Sequence, residues 1–352
     1  MSEPGPAAPV TLATPATPAT PANGVAGGSK RSAGLPGYLA GRLVAAAVSF
    51  LVTLVIGFVI FNLMPADPVR TLTRGRPTSE AQLEQLRLQL GLDDPVWMRF
   101  LSFLKDTLTG ELGYSWQFQQ PVASLVGERL GPTLLLMGTA AAVSIVLGLW
   151  LGVHSGWRHG GALDRVASAA SLTLWSVPTF WLGMILLVLC IGIFPAGGMS
   201  DPALNATGFD YVIDVANHLV LPCLTMVLVV FAQYVTIMRS SIIDELGSPY
   251  LLTARAKGLT DAEVRRRHAV PNALLPSVTV IFMHLGTLVS GAITVEAVYS
   301  WPGLGHLTYE ALKIPDLPLL QGTFIVFSAS VIIMNLLADL VYRLLDPRVR
   351  AA

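Results

Sequence analysis

Residues 43–63 read LVAAAVSFLVTLVIGFVIFNL, an apolar run without a single charged side chain. In a helix, about 20 such residues cross the roughly 30 Å hydrocarbon core of a bilayer. Five more runs follow, at 134–153, 166–194, 219–238, 278–298 and 319–341. All six are continuously apolar instead of alternating at every second residue, which excludes a closed β-barrel. The composition points to the same solvent: 53% of the 352 residues are hydrophobic, 12% are charged, and the mean hydropathy is +0.62. An all-α integral membrane protein with six transmembrane helices is expected. The two cysteines, Cys190 and Cys223, both lie within apolar runs, where a thiol behaves as a small hydrophobe, and no disulfide is expected.

The formal net charge is zero, so only its distribution is informative. Short loops rich in Lys and Arg stay cytoplasmic, whereas long loops escape the rule. With the N-terminus inside, fourteen of the 22 Lys and Arg residues fall in cytoplasmic segments, six of them from Arg239 to Arg267. The short outer loops hold only Lys313, and the remaining seven lie in residues 64–129, a segment long enough to be exempt. Both termini are therefore expected in the cytoplasm. Residues 1–37, rich in Pro, Ala, Thr and Gly, read as a disordered cytoplasmic tail. No apolar stretch precedes Leu35, so 38–63 reads as a retained anchor and not a cleaved signal. Residues 130–345 form the core and 346–352 a cytoplasmic end.

Residues 64–129 carry two helical signatures on the external side. Ser79 and Gln82 have capping-box spacing ahead of Leu83, Leu86 and Leu90, with Gly91 as a stop. Asp94 and Pro95 suit the cap and first turn of a second helix, in which Trp97, Phe100, Leu101, Leu104 and Leu108 share a face up to Gly110. These faces are expected to pack on each other and on the membrane part, or to present a surface to a soluble external partner. The cytoplasmic segment 241–271 is longer than a connector requires. Ser248 and Pro249 start a helix that ends near Gly258, whose missing Cβ permits a left-handed turn. Thr260 and Glu263 form a capping box for the next helix, which carries Arg265, Arg266, Arg267 and His268 before Pro271 stops it. Two short helices joined at a glycine bend suit either a solvated basic anchor or a dock for a cytoplasmic protein. Ala254 and Ala256 are small enough to let another surface approach closely.

The stretch TARAKGLTDAEVRRRHAVPNALLP, residues 253–276, resembles the "EAA" loop of ABC importer permeases of the peptide, opine and nickel subfamily. So do LGLDDP (90–95), GELGYSW (110–116), ERLGPTLLL (128–136), VYSWPGLG (298–305) and LLDPRVR (344–350). The resemblance covers about residues 38–350. It departs in the Pro/Ala tail, and in Arg255 and Lys257, where the general loop has acidic and small residues; that second departure is typical of the peptide-type branch. It implies a type I ABC importer permease fold and a dipeptide or oligopeptide permease subunit of B type in a bacterial inner membrane. The implied ATPase-coupling residues are Thr253, Ala254, Arg255, Ala256, Lys257, Gly258, Leu259, Asp261, Arg267 and His268. The implied partners are a second related permease, two ATPase subunits or domains, and an external substrate-binding lipoprotein or periplasmic protein, besides the lipid bilayer; no nucleic acid is expected.

The chain is not expected to bind ATP itself. A P-loop needs Gly-Lys followed by Ser or Thr, and none of the four lysines follows a glycine. ATP and Mg are expected on the partner subunits, with no cofactor in this chain. No Cys/His cluster has metal-ligand spacing, and no Gly-x-Ser-x-Gly elbow occurs. Ionisable groups within the membrane are functional candidates because their burial is costly. His284 sits with Ser290, Gly291 and Thr294 in a small, polar stretch of the fifth run that suits a pathway lining, or an interhelical hydrogen bond; Glu296, nearer the outer end, suits a structural acid or the same lining. The same permease type could carry nickel, opines or another small solute. An ion-coupled secondary transporter would call for inverted repeats and midplane charges, of which only His284 is present. A membrane scaffold would leave the polar face of the fifth run unexplained.

Overall fold

The computed structural model describes residues 35–63, 79–89 and 94–345; within these, some side chains, including those of 283–292, lie outside the description. The readings placed on residues 1–34, 64–78, 90–93 and 346–352 lie outside the described residues, as do the side chains of Leu83 and Leu86. Among the described residues the regular structure is helical, with one isolated bridge between Tyr114 and Pro121.

Twelve α-helices are described. They are α1 (Leu35–Leu63), α2 (Glu80–Gln89), α3 (Val96–Thr109), α4 (Val122–Trp157), α5 (Ala162–Ser176), α6 (Thr179–Leu189) and α7 (Phe209–Leu246), then α8 (Pro249–Ala256), α9 (Asp261–Val264), α10 (Val270–Val298), α11 (Leu304–Lys313) and α12 (Leu317–Leu345). Helices α1, α4, α7 and α12 are each long and apolar enough to cross a bilayer. Their exposed leucines, valines and isoleucines suit a lipid surround. The run 278–298 lies in α10. The run 166–194, expected as one span, is instead α5 and α6, bent by 104° at a short break. Pro178 causes it, because a proline disfavours the helical region for the residue before it, and Val177 is extended at φ −82° and ψ 128°. Counted as one span, the pair brings the total among the described residues to five.

Contacts fix which ends lie together. Arg42 near the start of α1 pairs with Asp339 near the end of α12 at 2.9 Å, so those two helices are antiparallel and their outer termini share one end, here called the near end. Helices α4 and α7 run parallel toward the near end, and are joined backbone to backbone. Gly148, Gly152 and Gly156 face Tyr234, Met238 and Ile242 in turn. A Cβ added at Gly152 would sit 2.7 Å from the Met238 Cβ and 2.8 Å from the Val235 carbonyl oxygen. Only glycine fits such a crossing. At the near end Asp164 of α5 is clamped by both Arg239 of α7, at 2.5 and 3.0 Å, and the Gly160 N–H, at 2.9 Å.

The far end is tied by two buried carboxylates. Asp316 accepts from the Ser115 hydroxyl at 2.6 Å and the Gln117 N–H at 2.9 Å, joining the GELGYSW segment to the start of α12. The Glu296 carboxylate accepts from the Thr133 hydroxyl at 2.8 Å and from the Gly305 and His306 N–H groups at 2.7 and 3.1 Å. It thus satisfies orphan donors of the first turn of α11. Beside it, Trp301 donates to the Pro132 carbonyl at 3.0 Å, and Tyr299 reaches both Thr225 and the Gly183 carbonyl. Glu296→Gln keeps the shape but loses the charge that three donors converge on. It is expected to cost on the order of 1–3 kcal/mol, read as a lower melting temperature in detergent; unchanged melting would show that this node carries little.

The segment ahead of α4 differs in detail from expectation. The Ser79–Gln82 box is present, with N–H contacts of 3.3 and 3.4 Å. Helix α3 begins one residue later than expected, with Pro95 as its cap and no side-chain cap from Asp94, and ends at Gly110 with φ +83°. Its inward side is Phe100 and Phe103, whose rings stack around Phe58 of α1 at 5.2 and 5.6 Å, while Trp97, Leu101 and Leu108 are exposed. Of the expected stripe Phe100 does face inward and Leu104 is half-buried, but a membrane protein has apolar surface on both faces, and periodicity alone does not tell Phe103 from Trp97, Leu101 and Leu108.

Candidate functional site

The near end projects α8 and α9 beyond the long helices. Helix α8 starts on Pro249 after Ser248, a first-turn position where the missing N–H costs nothing. It ends in a six-residue reversal. The Gly258 N–H donates to the Arg255 carbonyl at 2.9 Å and the Leu259 N–H to the Ala254 carbonyl at 3.4 Å, with Gly258 at φ +85°. That is the paired hydrogen bonding of a Schellman turn, which requires a left-handed residue at this position. Thr260 and Glu263 then close a complete capping box on α9. The Thr260 N–H and hydroxyl, at 3.0 and 2.9 Å, hold the Glu263 carboxyl below the usual carboxylate range.

The loop is seated on the bundle from below. Leu251, Ala254 and Val264 are buried with Met238 and Ile242 of α7, with Ala269 just ahead of α10 and with Ala273 in its first turns. Ala254 therefore faces the protein's own core; its small side chain serves the close seating of α8 on α7 and α10, not the approach of a partner. The outward side of α8 is Leu252, 65% exposed, with Thr253, Arg255, Ala256 and Lys257. Arg255 bonds Asp261 at 3.1 Å across the bend and lies 5.9 Å over the Trp157 ring at the end of α4. Asn272 links the two sides, donating to the Tyr250 hydroxyl at 2.9 Å and the His268 carbonyl at 3.0 Å. Pro271, expected to end the second helix, does not. The chain passes from α9 through a π-helical turn at Arg265–Ala269 directly into α10, where Pro271 falls in the first turn and tolerates its missing donor.

Of the suggested pathway residues, His284, Ser290 and Gly291 have side chains outside the described set, and Thr294 is exposed on α10. Glu296 is fully buried with both oxygens occupied. The Gly148–Gly152–Gly156 seam lies outside the residues that the sequence singles out, and its four-residue spacing is the signal that marks it.

The family described as the binding-protein-dependent transport system inner membrane component matches residues 144–351, and the description of its N-terminal part matches residues 36–137. The chain belongs to this family. As a binding-protein-dependent permease it is a multi-pass inner-membrane transport subunit of an ABC importer. It is 34% identical over 329 residues to the dipeptide transport system permease protein of Escherichia coli K12, covering 88% of this chain and 97% of that one. It is also 34% identical over 317 residues to the glutathione transport system permease protein of Pectobacterium atrosepticum, covering 89% and 98%. The inward-facing methionine ABC transporter MetNI shares its fold at a TM-score of 0.51 and 19% identity, over 63% of this chain and 96% of that one. Of the permease motifs quoted from the sequence, those at 110–116, 128–136 and 298–305 contribute to the far-end ties, and that at 253–276 forms the near-end loop and runs into α10.

Proposed function

We propose that the chain carries short peptides inward as one half of a translocation pathway, with α8 and its Gly258 turn as the contact with an ATPase subunit. The relatives named for dipeptides and for glutathione, both short peptides, support the substrate class. The observation that carries the coupling reading is the projecting α8, an exposed leucine on an outward face backed by the ends of α4, α7 and α10. A push on that face would pass into three long helices at once. ATP and Mg would sit on two partner ATPases, and a second related permease and an external binding protein would complete the assembly. Six spans, with the near end and both termini in the cytoplasm, fit the alternating direction of the helices. Thr294 with His284, Ser290 and Gly291 would line the route along α10.

Reconstitution with ATPase, second permease and binding protein tests this: ATP-dependent uptake of a dipeptide or tripeptide is expected, and uptake of nickel or an opine in its place would overturn the substrate class. Topology has its own test. A cysteine introduced at Gln85, exposed on α2, is expected to react with an impermeant thiol reagent in intact spheroplasts. Labelling only after permeabilisation would invert the orientation.

A further inference from the structure

The near end holds a pocket beside the residues implied in coupling, sharing only Arg267 with them. The π-helical turn at Arg265–Ala269 widens the chain between α9 and α10 and brings Arg265, Arg266 and Arg267 around a cavity of about 450 Å³. Such turns recur at functional sites. Across the cavity stand Val153 of α4 and Val270 of α10, at the edges of two long apolar helices. Charge in the pocket is unbalanced, because three guanidiniums face one carboxylate. That carboxylate, Glu263, is committed to capping Thr260; it lies 3.8 Å from Arg267 and feels the charge of Arg266 without pairing with it. Among the described residues neither Arg265 nor Arg266 reaches an acid within salt-bridge distance.

A rim of guanidiniums over an apolar wall, at the level where spanning helices leave the membrane, matches an amphiphile with an anionic head. We propose that this pocket binds the phosphate of an anionic glycerophospholipid from the adjoining leaflet, with an acyl chain against Val153 and Val270. Guanidinium groups suit phosphate oxygens through paired N–H donors, and basic pockets beside membrane helices on the cytoplasmic side take such headgroups. A free phosphate would use the arginines and leave the valines idle. The proposal rests on the placement of the near end in the cytoplasm.

The test uses the full-length chain purified in mild detergent, titrated with phosphatidylglycerol or with phosphatidylcholine of the same acyl chains and read by native mass spectrometry. Phosphatidylglycerol should be retained preferentially. Each arginine beside an anionic headgroup is worth roughly fivefold, so Arg265→Gln with Arg266→Gln should weaken phosphatidylglycerol about thirtyfold and leave phosphatidylcholine unchanged. Val153→Trp should lower retention by filling the apolar wall with the charges intact, and it carries the test if the double variant fails to fold. Equal binding of the two lipids, or undiminished phosphatidylglycerol binding in both variants, overturns the proposal. So does full displacement by inorganic phosphate, which would mark a free-anion site, or, in the Arg265→Gln/Arg266→Gln variant, loss of ATPase copurification with phosphatidylglycerol binding intact, which would assign the arginines to the motor. Binding is read on the purified chain, so a wild-type chain that holds phosphatidylglycerol yet recruits no ATPase would uphold the pocket and overturn the coupling reading.

Discussion

Gly258→Val is expected to abolish uptake while leaving synthesis and membrane insertion near normal. The position has open space around it, with nothing within 4 Å of an added Cβ, so the effect is purely one of backbone conformation. At φ +85° a β-branched residue meets a penalty of about 1–2 kcal/mol, enough to favour a reshaped turn in a short exposed loop. Reshaping breaks the two hydrogen bonds that close α8 and swings Leu252 and Ala256 away from the surface they present. The apolar helices are untouched. Gly258→Asn is the control, because asparagine tolerates the left-handed region and should retain most activity. ATPase copurification, binding-protein-stimulated hydrolysis and uptake should be measured together. Wild-type uptake by the valine variant would show that this loop does not couple.

Gly152→Leu is expected to prevent accumulation of folded protein. Its Cβ alone would lie within 2.8 Å of backbone on α7, and neither a rotamer change nor a shift of one side chain can relieve a clash with a carbonyl oxygen. Overpacking a core typically costs about 1–3 kcal/mol even where side chains can move aside, and here two helices would have to part. Gly138→Leu on the same helix, with nothing within 4 Å of its added Cβ, should behave as wild type. Monodisperse yield and thermal melting in detergent separate the two. A Gly152→Leu protein that melts like the parent would mean the seam is looser than its distances.

The apolar runs were legible in the sequence because a bilayer imposes length and composition together. The bend at Val177–Pro178 was not, since the run stays apolar through it and a proline within a span can kink or break it. In the near-end loop, local rules sufficed for the Thr260–Glu263 box and for Gly258, whose hydrogen bonds close within six residues. They failed for Ala254, because Leu251 and Leu252 are both apolar and nothing local says which faces the bundle. Pro271 does not act as a stop, because the π-helical turn before it places it in the first turn of α10, where proline is tolerated. The two far-end carboxylates were beyond local reading altogether: Glu296 finds Thr133 163 positions away, and Asp316 finds Ser115 201 positions away.

The parallel run of α4 and α7 also constrains how the protein can be made. Neighbouring helices of opposite direction can associate as a hairpin while the ribosome is still at work, but two helices of the same direction cannot. The glycine face of α4 must wait in the lipid until the bent α5–α6 pair has crossed back and α7 has followed. Biogenesis of this core therefore has an obligatory late step, and a nascent chain arrested before residue 209 would display Gly148, Gly152 and Gly156 unpaired to any quality-control protease that reads exposed small-residue seams.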